Sequence, residues 1–374
     1  MVKYDEFGPE KILSVYDPKT GMNGFVVIDN TALGPAKGGI RMTIDVRVDE
    51  CVKLARVMTW KCAITELPFG GGKSGIVADT HKIDDAKKQE LIAAFAAALK
   101  PICPSLYVAA PDIGTAEKEM ETFAKSNGSH KSCTGKPKNV CEGAACGIPH
   151  ELGSTGWGVY HATLVALEHQ KRDVKGVTFA VDGFGNVGSF AAKYLTEKGA
   201  KLVAVSDSKG CIYNSDGISF KELSAVKKKT GSVINYKPGN VLKSSDAPTV
   251  ACYVFIPAAK ADVIHAKNWK DVKAKLIVEG ANIPIMHDIE VKLHKNGVLV
   301  IPDFVANAGG VISSYVEYIG GSEDDVFPLI EKKIVRNTQL VLDTMTKKNI
   351  PPRDAAMQIA IERVKKAEKS NNRR

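Results

Sequence analysis

Apolar positions change their period several times along the chain, and each change marks an element. Gly24-Phe25-Val26-Val27-Ile28 is a run of strand length, and Gly34-Pro35 follows it as a turn. From about Asp49 to Leu67 the spacing becomes helical, through Val52, Leu54, Ala55, Met58 and Cys62. Leu54, Met58 and Lys61 lie close to one face, so Lys61 points inward near the helix C-terminus, where the dipole favours a cation. A second helix is predicted from Asp84 to Lys100, with Leu91, Phe95 and Leu99 on its apolar side. Leu106 to Ala110 reads as a strand ending at Pro111-Asp112-Ile113-Gly114, with Thr115 placed to cap the next helix.

Lys125 to Gly153 is polar, basic and rich in Gly, Pro and Ser, and reads as a long connector containing a hinge or boundary. A helix from Gly156 to His169 leads into a second pattern, in which strands and helices alternate. The strands are Gly176–Val181, Lys201–Ser206, Val250–Ile256, Lys275–Val278 and Val298–Ile301. That rhythm predicts a mostly parallel, doubly wound sheet whose ligands bind at the strand carboxyl ends. Asn307-Ala308-Gly309-Gly310-Val311 opens a helix carrying Ser313 and Ser314. Asp325–Lys347 and Pro352–Lys369 read as closing helices, and Asn371–Arg374 as a frayed tail. The predicted fold is α/β with two domains. Residues 1–145 form an α/β substrate and oligomerisation domain, and residues 146–349 a Rossmann-type one. A C-terminal helix over about 350–374 packs back on the first.

Composition narrows the class. The 374 residues are 44% hydrophobic and 25% charged, which is globular and long enough for two domains. No apolar stretch reaches membrane-span length and no basic-then-apolar leader is present, so neither a membrane protein nor a secreted one is expected. The eight cysteines fall mostly in apolar or helical patterns and suggest reduced thiols in a cytoplasmic protein. Cys133, Cys141 and Cys146, with His130 and His150 nearby, lack a CxxC pair. They read as free thiols in a connector rather than a zinc site. The net charge of +9 is spread along the chain without aromatic interleaving, so no nucleic-acid partner is expected.

Two glycine-rich stretches carry candidate chemistry. Gly183-Phe184-Gly185-Asn186-Val187-Gly188 has a strand before it, a helix after it and Asp207 about 20 positions on. This is the dinucleotide fingerprint: a tight turn, a close approach to pyrophosphate, and helix-terminal amides aimed at it. Asp207 would accept from the adenosine ribose, favouring NAD, whereas Lys209 would meet a 2′-phosphate. NAD and NADP both stay open. The second stretch, Leu67 to Asp79, sets Lys73 in a glycine run. It lacks the first glycine of a P-loop, and Gly75-Ile76-Val77-Ala78-Asp79 reads as a strand. Lys37, in Lys37-Gly38-Gly39, and Lys61 are the other lysines beside glycine or on an apolar helix face. Together they suit a multiply charged anion. Desolvation and mutual repulsion would leave one neutral near neutral pH, able to act as a base.

The motifs Gly34 to Arg41, Met58-Thr59-Trp60-Lys61, Pro68 to Lys73, Ala110 to Gly114, Gly183 to Gly188, Glu279-Gly280-Ala281-Asn282 and Asn307 to Val311 resemble, in order and spacing, the glutamate/leucine/phenylalanine/valine dehydrogenases. The likeness runs from about Gly34 to Tyr318. It implies oxidative deamination of an L-amino acid with NAD or NADP. Lys73 is then the lysine that activates water, and Asp112 moves protons at the substrate nitrogen. Lys61 holds the α-carboxylate, Lys37 and Ser314 a side-chain carboxylate, and Gly38, Asn307 and Val311 line the substrate. Thr155 and Asn282 lie near the nicotinamide. Lys37 and Ser314 imply glutamate, where leucine- and phenylalanine-type members carry an apolar residue in place of Lys37. A branched-chain or aromatic specificity is the alternative, and a non-catalytic dinucleotide-binding regulator a more distant one. The resemblance further implies a homo-oligomer, hexamer or octamer, and domain closure during turnover. Departures are the short region before Gly34, Glu151 where many members have arginine, and Ile285 where threonine is usual.

Overall fold

A computed structural model describes residues 2–149 and 152–371. The readings at His150, Glu151 and the tail beyond Asn371 lie outside these residues. The fold is α/β, with two domains and helices at the C-terminus. Its contacts divide the chain into two compact units. Unit 1 comprises Met1–Leu152, Val311–Val326 and Ile359–Arg374, and unit 2 comprises Gly153–Gly310 and Phe327–Gln358.

Unit 1 is built on a five-stranded sheet of β1 (Lys11–Asp17), β2 (Met22–Asn30), β3 (Ala36–Thr43), β4 (Gly70–Val77) and β5 (Tyr107–Pro111), in the order β1-β2-β4-β3-β5. β2 runs antiparallel to β1 and β4, while β3 is parallel to β4 and β5. Alternation along β2 sends Val26 and Ile28 to one face and Phe25 and Val27 to the other. The first face packs on α2 (Asp85–Ala98) and α3 (Glu117–Asn127) through Phe95, Met120 and Phe123. The second packs on α1 (Val48–Ile64) through Cys51 and Ala55. Asp84 caps α2 by accepting from the Lys87 amide. Thr115 does not cap α3, whose N-cap is Ala116. Its hydroxyl instead accepts from the Asp112 amide at 2.9 Å and donates to Ile40 O at 2.8 Å, fixing the end of β5.

The glycine run differs from its sequence reading. The strand begins at Gly70, so Lys73 sits in mid-strand and not ahead of one. The reason is steric. A Cβ on Gly71 would lie 2.1 Å from Thr59 Oγ1 and 2.3 Å from Ala55 O, so only a bare backbone lets α1 rest on β4. The connector also differs. Cys141 and Cys146 are not free thiols but a disulfide, closing a hairpin of β6 (Cys141–Glu142) and β7 (Ala145–Cys146). Among the described residues no group of His, Cys, Asp or Glu side chains is arranged to hold a metal ion, and no helix is long and apolar enough to cross a membrane.

Unit 2 opens with α4 (Ser154–His169) and holds a seven-stranded sheet. Its strands are β8 (Thr178–Asp182), β9 (Lys201–Asp207), β10 (Gly210–Tyr213), β11 (Asn240–Leu242), β12 (Val254–Pro257), β13 (Leu276–Val278) and β14 (Leu299–Ile301). The order β11-β10-β9-β8-β12-β13-β14 is parallel from β9 to β14, with β10 and β11 antiparallel at one edge. The chain winds outward from β8 in both directions, making β8 the switch point where such sheets take ligands. β12 starts four residues later than its apolar run, whose first residues follow directly on a 3₁₀ turn, Ser244–Thr249. α5 (Asn186–Glu197) and α6 (Phe220–Thr230) precede the 3₁₀ turn, and α7 (His287–Lys295) lies between β13 and β14. The chain closes with α8 (Asp303–Ala306), α9 (Gly309–Tyr318), α10 (Glu323–Lys348) and α11 (Pro352–Asn371), the last running past the predicted end at Lys369.

Candidate active site

In unit 1, Lys73 in the middle of β4 meets Asp112 just past the end of β5, across the intervening β3, with Nζ 2.7 Å from Oδ2. Arg41 Nε reaches the same oxygen at 3.0 Å, and its other end pairs with Glu50. Gly39 permits this closeness, since a Cβ there would fall 2.7 Å from Asp112 Cβ. Burial alone would raise the Asp112 carboxyl, but Lys73 and then Arg41 outweigh it and hold it below the usual carboxylate range.

Lys37 lies one strand over, in register with Gly71 on β4 and Val108 on β5. It is 1% exposed, and Nζ donates to Ala109 O at 2.7 Å. Burial pushes its ammonium down to about 7, with Glu317, Cys133 and Cys62 opposing and Lys136 adding to the fall. Lys61 is buried near the C-terminal end of α1, and the adjoining Cys62 thiol feels both Lys37 and Lys61. The Gly38 carbonyl is fixed by the Tyr107 hydroxyl at 2.8 Å, which in turn accepts from Ser74 at 2.9 Å. Val311 and Ser314 belong to the part of α9 in unit 1. That helix packs there through Tyr315 and Tyr318, edge-on to Phe69.

In unit 2, β8 runs into the Gly183–Gly188 turn. Gly183 has φ +96°, and a Cβ on Gly188 would lie 1.9 Å from Gly183 O, so helix and turn close tightly. Gly185, the N-cap of α5, has open space where its Cβ would be, and Asn186 and Val187 present the first turn of that helix. Asp207 ends β9 with all four acceptor positions in use. Oδ2 takes Lys227 Nζ at 2.7 Å and the Val233 amide at 2.9 Å. Oδ1 takes the Lys209 amide at 2.9 Å and Ser232 Oγ at 3.1 Å. Burial works against the ionised carboxylate, yet these donors hold it down at about 2. The Lys209 side chain is exposed.

Asn307 caps α8 and spans the turn after β13. Its Nδ2 donates to Gly280 O, Ala281 O and Asn282 Oδ1 at 3.1–3.2 Å, whereas its buried Oδ1 accepts from none of the described residues. Behind the turn, Arg353 of α11 binds Glu279, Glu290 and Asp303 at 2.6–3.0 Å. Burial, with Glu290 close by, pushes Glu279 well above the usual carboxylate range. Thr155 lies in the first turn of α4, packed against Gly309. The room at Gly185, the helix terminus behind it and the unpaired Asn307 Oδ1 fit a dinucleotide, with phosphates at the turn and a hydrogen-bond donor at Asn307.

The sequence reading missed several partners. Arg41 stood inside a recognised motif, but its role needs the fold. Glu317 lies three residues after Ser314, on the same helix face. Lys136 was absorbed into the basic connector, and Lys227 into the positive charge spread along the chain.

A Rossmann-type sheet with its glycine turn, on the same chain as a buried lysine–aspartate pair, defines a nicotinamide-dependent dehydrogenase. Comparison with known proteins names the group. Residues 146–371 match the Glutamate/Leucine/Phenylalanine/Valine dehydrogenase family, and residues 9–127 match the dimerisation domain of the Glu/Leu/Phe/Val dehydrogenases. The chain belongs to this family and is an amino acid dehydrogenase that uses a nicotinamide dinucleotide. It is 40% identical to a glutamate dehydrogenase of Aeropyrum pernix over 360 residues, 91% of this chain and 84% of that one. It is 36% identical to an NADP-specific glutamate dehydrogenase of Saccharolobus shibatae, covering 97% and 90%. Among solved structures it resembles the hetero-hexameric glutamate dehydrogenase of Thermus thermophilus in its leucine-bound form, with TM-score 0.84, 26% identity and coverage of 96% and 89%. It also resembles the Peptoniphilus asaccharolyticus glutamate dehydrogenase, with TM-score 0.84, 27% identity and coverage of 97% and 92%.

Proposed function

We propose that this chain catalyses the reversible oxidative deamination of L-glutamate to 2-oxoglutarate and ammonium. The observation that carries this reading is the buried charge around Lys37. Among the described residues no carboxylate lies within ion-pair distance of its ammonium, while Lys136 and Glu317 nearby satisfy each other. Two buried cations thus face one buried anion. The side-chain carboxylate of glutamate supplies the missing charge. An apolar side chain would leave the lysine unpaired, at a cost of several kcal/mol when charged.

In this reading Lys37 and Ser314 hold the side-chain carboxylate and Lys61 the α-carboxylate, with Gly38 and Val311 beside them. Asp112 takes a proton from the substrate nitrogen as Cα loses hydride. NAD(P), held by Gly183, Gly185, Asn186, Val187, Gly188, Thr155 and Asn282, supplies the hydride acceptor. Lys73, once its own proton has been released to solvent, then orients water and takes a proton from it as oxygen adds to the iminium carbon. Asp112 returns a proton to nitrogen, the amine leaves and carries off the hydroxyl proton as ammonium, and the Lys73 ammonium stabilises the new carbonyl oxygen. Asn307 sets the Gly280–Asn282 turn.

We also infer that NADP is accepted as well as NAD. Asp207 has no acceptor left for a ribose hydroxyl, and Lys227 cancels its charge, so a 2′-phosphate near Lys209 is not repelled. A homo-oligomer is part of the same reading, supported by the match to a dimerisation domain and by β1, which has an open sheet edge. The deciding test is a spectrophotometric amino acid panel with each cofactor. Glutamate should be oxidised fastest, and Lys37→Leu should lose most of that activity. Turnover of leucine without glutamate would reject the assignment.

A further inference from the structure

We infer that the Lys136–Glu317 pair is a specificity device, in which Lys136 withholds the Glu317 carboxylate from Lys37 and so keeps that lysine available for the substrate. The inference rests on the glutamate reading above. The loop from Cys133 to Lys136 runs beside β5, and the Thr134 amide donates to Ala109 O at 3.0 Å, the same carbonyl that receives Lys37 Nζ. Glu317 holds this loop from α9. Its Oε2 accepts from the Gly135 amide at 2.7 Å, and its Oε1 takes Lys136 Nζ at 2.6 Å and the Lys136 amide at 3.4 Å. Lys136 Nζ also donates to Cys133 O at 2.6 Å. Both side chains are buried.

The charged and titratable groups facing Lys37 are Glu317 on α9, Cys133 and Lys136 in the loop, and Cys62 on α1. Glu317 is the only carboxylate in that set, and it lies one helical turn from Ser314. Were Lys136 absent, the buried Glu317 would need a new counter-ion, and Lys37, which already feels that carboxylate, is a buried cation placed to supply it. The two would close on each other and fill the place of the substrate carboxylate. Lys136 and Glu317 are positioning residues in this scheme, since neither touches substrate.

The test uses the full-length enzyme and two substrates of equal chain length, L-glutamate and L-norvaline, the second lacking the side-chain carboxylate. Lys136→Met should raise the glutamate KM about 30-fold while leaving kcat/KM for norvaline within about threefold. The double variant Lys136→Met with Glu317→Gln removes both charges of the pair and leaves Lys37, as in the parent, without a carboxylate at ion-pair distance. It should regain the glutamate preference to within about fivefold of the parent. Equal losses on both substrates in Lys136→Met would mean a merely structural role and overturn the inference. If the single variant fails to fold, the double variant decides, and loss of glutamate preference there overturns it as well. A parent enzyme that prefers norvaline rejects the glutamate reading itself, a separate failure.

Discussion

Raising the pH through the ionisation of Lys37 should weaken dicarboxylate binding, by an amount set by its burial. The ammonium is pushed from 10.5 down to about 7 by desolvation, with one neutral carbonyl, that of Ala109, as its bonded partner. The unfolded chain therefore binds more protons than the folded one between about pH 7 and 10.5. In that window this group makes stability rise with pH, by about 1.4 kcal/mol per unit. A bound side-chain carboxylate reverses the effect by supplying the counter-charge. Below pH 7 the lysine is already charged and binding is insensitive to pH. Above it, each unit should cost about tenfold in affinity, because a proton must be taken up with the ligand. Near pH 8 the uptake should be about 0.9 proton per site. Calorimetric titration of glutarate, in two buffers of different ionisation enthalpy, measures that number directly. Lys37→Met should abolish the uptake. An affinity flat from pH 6 to 9, or a binding heat independent of buffer near pH 8, would refute the reasoning.

Three further outcomes follow from the same geometry. Asp112→Asn removes the carboxylate that moves the proton and pairs with Lys73, and kcat should fall by about 10²–10⁴ with the glutamate KM little changed. Lys227→Met leaves Asp207 charged without its cation, so KM for NADP should rise about tenfold while that for NAD stays within about twofold, read from initial rates with each cofactor. Arg353→Met strands Glu290 and Asp303 in the interior, and chemical denaturation should show a loss of about 3–5 kcal/mol.

Much of this was legible in the chain, for identifiable reasons. The helices at α1, α2 and α4 were found within a few residues, because α1 and α2 carry apolar residues at helical spacing and α4 is apolar nearly all round. The β8–turn–α5 unit was found because its glycines answer to steric demands that no other residue meets. The glycines around Lys73 were misjudged by the same rule. A glycine run looks like a loop until the helix that needs its bare backbone, here through Thr59 and Ala55, is in place. The antiparallel β10 and β11 are short and carry no run long enough to stand out. The bond between Cys141 and Cys146 depends on the hairpin between them, and spacing alone does not reveal it. The Lys227, Ser232 and Val233 partners of Asp207 lie 20 to 26 residues on, and the Ala109 carbonyl that receives Lys37 lies 72 residues on, so only the folded chain brings them together.

The division of the chain carries a consequence for its synthesis. Neither unit is one continuous segment, and unit 1 is complete only when the stretch from Ile359 onward has been made. That stretch closes the end of α1, where Arg363 donates to the Ala63 and Ile64 carbonyls, and reaches the end of β2, where Glu368 accepts from Asn30. At about 5–20 residues per second, the first 152 residues wait roughly 10–40 s on the ribosome for these partners. During that interval the seat of Lys61 lacks part of its support. Nascent chains should therefore engage chaperones through the N-terminal sheet, and release of the finished chain, rather than emergence of its first domain, should time the folding of the substrate half.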